Sequence, residues 1–119
     1  MSITARHAMA NLHGCASSHY MTELNALRTL CLQAVDDACL TAVGDTFHQF
    51  NGGNGITGVV LLAESHLAIH TWPELDYVTL DVFVCNLHCD NSAKAQHLFE
   101  QLITAFAPQR VQRYETRRD

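Results

Sequence analysis

Five residues, Asn51-Gly52-Gly53-Asn54-Gly55, limit what this chain can fold into more than any other stretch. Asn and Gly adopt left-handed backbone at little cost, so a run of them marks a turn. Strand-like residues flank it, 40–50 before and Ile56-Thr57-Gly58-Val59-Val60-Leu61-Leu62 after. Two such segments joined by so short a connection pair antiparallel. The chain is therefore expected to fold around a hairpin, with further strands added to it.

Alternation supplies those strands. In residues 4–13, Ala8, Ala10 and Leu12 alternate with His7, Met9, Asn11 and His13; in 76–84, Val78, Leu80, Val82 and Val84 alternate with Tyr77, Thr79, Asp81 and Phe83. A period of two predicts strands with one buried face. Residues 56–64, 66–72 and 109–115 are also expected as strands, and Gly14 to Tyr20 as a loop. Thr22 is placed to cap a helix to about Ala38, with Leu24, Leu27, Cys31, Ala34, Val35 and Ala38 as its apolar stripe. Asp90 or Ser92 is placed to cap a second helix, which Pro108 ends. The order β-α-β-β-β-α-β predicts an α+β two-layer sandwich, a mostly antiparallel sheet with two helices on one face. One domain covering 1–119 is expected, and dimerisation would add to the surface it buries.

Composition narrows the partners. The formal net charge is −5, with only seven Lys plus Arg. Arg110, Arg113, Arg117 and Arg118 read as a solvated terminal strand, so no nucleic-acid partner is expected. No apolar run approaches the ~20 residues of a membrane span, and Met1 to Gly14 lacks the apolar core of a secretory leader. Five cysteines, an odd number without secretory context, read as reduced cytoplasmic thiols.

The chemistry concentrates where the strand Gly58-Val59-Val60-Leu61-Leu62 meets Glu64-Ser65-His66, followed by His70 and Trp72-Pro73-Glu74. Polar groups between buried strands cost free energy unless partners satisfy them. A Ser-His pair alone is ordinary structure. Cys85, His88, Cys89 and Asp90 are clustered, but Cys-x-x-His-Cys without a second pair is a weak metal signal, and no metal is expected.

The longer string ESHLAIHTWPE resembles the processing site of the prokaryotic S-adenosylmethionine decarboxylase proenzymes, small pyruvoyl-dependent enzymes of polyamine synthesis. Further blocks lie in the same order: Arg6-His7, Thr46-Phe47-His48-Gln49-Phe50, Ile56-Thr57-Gly58-Val59-Val60 and Asp81-Val82-Phe83-Val84-Cys85. The resemblance implies self-cleavage between Glu64 and Ser65. The Ser65 hydroxyl attacks the Glu64 carbonyl carbon, turning the amide into an ester. His70 removes the Ser65 α-proton and the ester leaves; hydrolysis then gives a pyruvoyl group and ammonia. Thr57 matches a hydroxyl residue that assists. The pyruvoyl cofactor would form a Schiff base with the substrate amine, and Cys85 would protonate the substrate carbon once carbon dioxide leaves. A thiol with reference pKa ~8.5 is mostly protonated at neutral pH and can donate.

The same resemblance implies the substrate S-adenosylmethionine, the aminopropyl donor for spermidine once decarboxylated. Phe50 matches an adenine platform, with Phe47 as a helper, and Glu74 matches a ribose acceptor. A homodimer is expected. Asn11 stands where an acidic residue is common near the substrate's cationic end, and Asn86 replaces a frequent glycine after the catalytic cysteine. The turn NGGNG is longer than usual for the family. L-Ornithine or L-arginine therefore stays open as the substrate, as does a processing-dead binding homologue.

Overall fold

A computed structural model describes residues 4–16, 18–86 and 90–118. Six strands form one sheet: β1 (Ala5–His13), β2 (Ala42–Gln49), β3 (Ile56–Leu62), β4 (Ser65–Trp72), β5 (Tyr77–Cys85) and β6 (Arg110–Arg118). Their order across the sheet is β2-β3-β4-β5-β1-β6, and every neighbouring pair is antiparallel. The expected hairpin around the Asn-Gly turn is present, with Gln49 opposite Ile56. Three helices, α1 (Ser18–Thr22), α2 (Leu24–Asp37) and α3 (Ser92–Phe106), connect the strands. The fold is the expected α+β sandwich, with one short helix more than expected. No helix among the described residues is long and apolar enough to cross a membrane.

The core lies between the helices and one face of the sheet. Alternate residues Leu12, Val60, Leu67, Ile69, Leu80 and Val82 meet Leu27 and Cys31 of α2 and Leu98, Leu102 and Phe106 of α3. Cys31 is a core residue, as its place on the stripe predicts, and burial pushes its thiol up to about 12. Among the described residues, one polar side chain, Thr71, is buried with them. Thr71 accepts a hydrogen bond from Ile56 N–H at 2.9 Å and donates to Met21 C=O at 2.9 Å, tying α1, β3 and β4 together. Gly58 faces Phe47 across β2 and β3, and the ring lies where a β-carbon at 58 would stand.

The helix starts differ from expectation. Thr22 ends α1 instead of capping α2; Glu23 holds the cap position without a side-chain bond. Asn91, not Asp90 or Ser92, holds the cap position of α3, while Asp90 Oδ1 accepts from Ser92 N–H at 2.9 Å. The C-terminal arginines form a strand. Arg113 pairs with Glu100 and lies over the Phe99 ring, and Arg118 lies over Phe83 at 5.2 Å.

Among the described residues, the opposite sheet face carries no helix. Thr57, Val59 and Leu61 of β3, His66, Ala68, His70 and Trp72 of β4, and Tyr77, Thr79, Asp81 and Phe83 of β5 alternate with the core residues and point there. Near its centre, His7 Nε2 lies 3.4 Å from Asp81 Oδ2, within ion-pair range but without hydrogen-bond geometry.

Candidate active site

The singled-out residues fall into two groups at opposite ends of the sheet. The first sits at the tip of the β3–β4 hairpin. Leu62 pairs with Ser65, so Ala63 and Glu64 alone make the turn. Glu64 has φ +59°, a left-handed backbone that costs an L-residue with a β-carbon roughly 1–2 kcal/mol. Strain of this size thus sits beside the Glu64–Ser65 bond. Ser65 is half-buried, and its Oγ accepts from Cys85 N–H at 3.1 Å. Cys85, the last residue of β5, is half-buried with a free thiol. The Ser65 side chain follows the parity of Leu67 and opens on the helix-side rim, beside Cys39, Asn91 and Lys94.

The second group surrounds a cavity of about 470 Å³ at the other end, lined by Phe50, Asn51, Asn54, Thr57, His70, Thr71, Trp72 and Glu74. Thr57 and His70 are cross-strand partners, and Thr57 Oγ1 lies 3.1 Å from His70 Nδ1. Phe50 is largely exposed at the mouth and meets His48 edge-on, with ring centroids 4.7 Å apart. Glu74 is exposed in a one-turn 3-10 helix, Pro73–Leu75, that Pro73 opens. Asn11 lies on the helix-free face in the same row: it is opposite Thr79, which is opposite His70. Its Nδ2 donates to Gln112 Oε1 at 3.4 Å. Phe47 is on the other face, over Gly58 and against the core, away from the cavity.

Within one chain, Ser65 and His70 do not meet. They are five residues apart on one extended strand, roughly 16 Å at ~3.3 Å per residue. The hydroxyl and thiol stand at one end; the imidazole, aromatic platform and carboxylate stand at the other. Sequence reasoning also passed over Asn51, Asn54 and Trp72 as cavity residues. Trp72 shares the parity of His70, a signal available from alternation. The asparagines looked like turn chemistry only. Of the Cys85, His88, Cys89 and Asp90 cluster, His88 and Cys89 lie outside the described residues; the described ones form no metal-binding group.

A family model described as S-adenosylmethionine decarboxylase matches residues 6–119. An S-adenosylmethionine decarboxylase proenzyme of Archaeoglobus fulgidus is 38% identical over 112 residues, covering 94% of this chain and 95% of the relative. One of Aquifex aeolicus is 38% identical over 105 residues, covering 88% of this chain and 73% of the relative. The crystal structure of the adenosylmethionine decarboxylase from Aquifex aeolicus superposes with a TM-score of 0.85 at 33% identity, covering 98% of this chain and 91% of that one.

Proposed function

The chain belongs to the S-adenosylmethionine decarboxylase family, and we propose that it cuts itself between Glu64 and Ser65 and decarboxylates S-adenosylmethionine with the pyruvoyl group so formed. The observation that carries this reading is the left-handed Glu64 at the two-residue tip, directly before a hydroxyl held by the next strand. The residues fit a pyruvoyl group at position 65, because the precursor hydroxyl, the left-handed Glu64 before it and the Cys85 thiol lie at one end of the sheet. Such a group would supply an electron sink for the pair left on the substrate carbon when carbon dioxide departs. Cys85 supplies the proton that replaces it, and His70, oriented by Thr57, is the base of the cleavage step. Phe50 and Glu74 line one cavity, an aromatic face and a carboxylate suited to an adenine and a ribose diol. A plain diamino acid such as ornithine or arginine has neither.

The active unit is a homodimer that packs helix-free face against helix-free face. Six strands at ~4.8 Å spacing, each about 26 Å long, give roughly 750 Å² per copy, the footprint of a stable interface. A two-fold axis lying across the strands places the Ser65 end of one copy over the His70 end of the other. That arrangement brings the Glu64–Ser65 tip of one copy to the His70 end of the other; the Ser65 side chain, on the helix-side rim, would have to turn across the strand end to reach it.

Intact mass of the purified protein tests the cleavage. Chains 1–64 and 65–119 are expected, the second with a blocked, hydrazine-reactive start; an uncut chain of full activity refutes it. Ser65→Ala should stay uncut and inactive. Co-expressing Ser65→Ala with His70→Ala tests the pairing across copies. Only the His70→Ala chain should be cut, by its partner's histidine; no cutting at all would place the site within one chain. Carbon dioxide release measured side by side from S-adenosylmethionine, ornithine and arginine decides the substrate, and preference for a diamino acid would overturn that part alone.

A further inference from the structure

The two asparagines that follow β5 make a device the reaction above does not explain. Cys85 sits where β5 runs out, and both polar groups of its backbone are held by side chains. Its N–H donates to Ser65 Oγ at 3.1 Å, and its C=O accepts from Asn91 Nδ2 at 3.1 Å. Asn91 is at the cap position of α3, where an Asn side chain ordinarily accepts from the first turn of its own helix. Here it makes no cap bond. It is turned to the strand end instead, and Asp90 serves the helix by accepting from Ser92 N–H.

Asn86 holds Asn91 in that position. Its Oδ1 accepts from Asn91 N–H at 2.8 Å, its Nδ2 donates to Ser92 Oγ at 3.3 Å, and its own N–H donates to Thr4 C=O at 2.8 Å. The backbone carrying the thiol is therefore fixed to β1, to the start of α3 and to the processing hydroxyl at once. Glycine at 86 offers neither side-chain bond. We propose that Asn86 and Asn91 are positioning residues, a clamp that holds the Cys85 backbone, and through its N–H the Ser65 hydroxyl, in place for self-cleavage and for proton donation. This rests on the roles assigned above to Ser65 and Cys85. The clamp works on the β4 side, where the β4–β5 pairing stops at His66 and Phe83; on the other side Cys85 pairs with Ala5 of β1.

The test follows full-length precursor made by cell-free translation, read as the rate of self-cleavage and the rate of iodoacetamide alkylation at Cys85 relative to exposed Cys39. Asn91→Ala and Asn86→Ala should each slow cleavage and speed Cys85 alkylation by roughly three- to tenfold, the range one such hydrogen bond is worth. Either variant carries the test should the other not fold. Asn86→Asp keeps the acceptor for Asn91 N–H and should cleave at close to the wild-type rate. Asp90→Ala loosens the same helix end without touching Cys85; it should lower the melting temperature and leave both rates unchanged. Unchanged rates in the two alanine variants, or equal changes in Asp90→Ala, overturn the clamp. A wild-type chain that never cleaves removes the reading beneath it, while the alkylation comparison still decides whether Cys85 is held.

Discussion

Thr71→Val swaps one side chain for another of nearly the same shape, so its effect isolates two hydrogen bonds. Thr71 Oγ1 serves Ile56 N–H and Met21 C=O, both at 2.9 Å, at a position 4% exposed. Valine leaves two backbone groups without partners in a dry place, at about 1–3 kcal/mol each. Its extra apolar carbon returns about 0.8 kcal/mol. The net loss is about 1–5 kcal/mol. For 119 residues the unfolding entropy is about 0.25 kcal/mol/K, so the melting midpoint should fall by roughly 5–20 °C. The assay is thermal and urea unfolding in a Ser65→Ala background, which keeps the chain in one piece. Thr71→Ser keeps both bonds and should stay within about 1.5 kcal/mol of the parent. The substitution also reaches the cavity. Gly55, at φ +111°, packs directly against the Thr71 carbonyl, so loosening β4 here frees the turn that carries Asn51 and Asn54. A valine variant within about 0.5 kcal/mol of the parent would show that these groups find water, and the reasoning would fail.

His70→Ala should stall between ester and pyruvoyl, leaving a chain that hydroxylamine cuts at position 65; maturation at the normal rate would remove His70 from the step. Cys85→Ser should still be cut but turn over roughly 10²–10⁴-fold more slowly, since its hydroxyl is a far weaker acid than the thiol; a two-band gel with normal turnover would assign the proton to another group. His66 is held below its ordinary pKa by burial first and by the charge of His7 second, with Arg118 adding and Asp81 opposing. Its neutral form is thus the folded form, and its contribution is complete above the unfolded value of about 6.5 and lost as pH falls from there toward the depressed folded value. Urea midpoints between pH 7.5 and 5.5 should decline less in His66→Gln than in the parent, and parallel declines would count against this. Burial holds Cys15 at about 11 and Cys31 at about 12, so neither should react with a thiol reagent at pH 8 while the protein is folded. Labelling at either, read by peptide mass, would mean the core opens.

Strand alternation and the Asn-Gly turn made the sheet legible, because a period of two against a helix-covered core admits few alternatives. Helix α1 was not legible. It has five residues, Ser18 to Thr22, too few for a periodic stripe, and Thr22 looked like the cap of the following helix. The site was legible as a set of residues and illegible as a place. Ser65 and His70 stand close in the text, yet in a strand each residue adds ~3.3 Å, so nearness along the chain becomes separation in space. Phe47 and Phe50 show the same limit: three positions apart at the end of β2, they finish on the core and at the cavity mouth. The Asn86–Asn91 clamp was half legible: Asn86 stood out as a departure from a frequent glycine, but nothing in the sequence marked Asn91 as its partner.

The order of strands has a consequence for the cut protein. Residues 1–64 contribute β1, β2 and β3, and residues 65–119 contribute β4, β5 and β6. In the sheet these interleave, so the β3–β4, β5–β1 and β1–β6 ladders each join one piece to the other. Neither piece is a subdomain that could leave intact; each threads through the other's hydrogen-bonding partners. Cutting the hairpin tip would therefore change the order of the unfolding reaction. Completing one protomer's sheet is a first-order step for the precursor, whereas for the cut protein it would be an encounter of two pieces, added to whatever concentration dependence the dimer brings. Once unfolded, the cut protein has to recover by encounter in solution what the precursor finds along its own backbone.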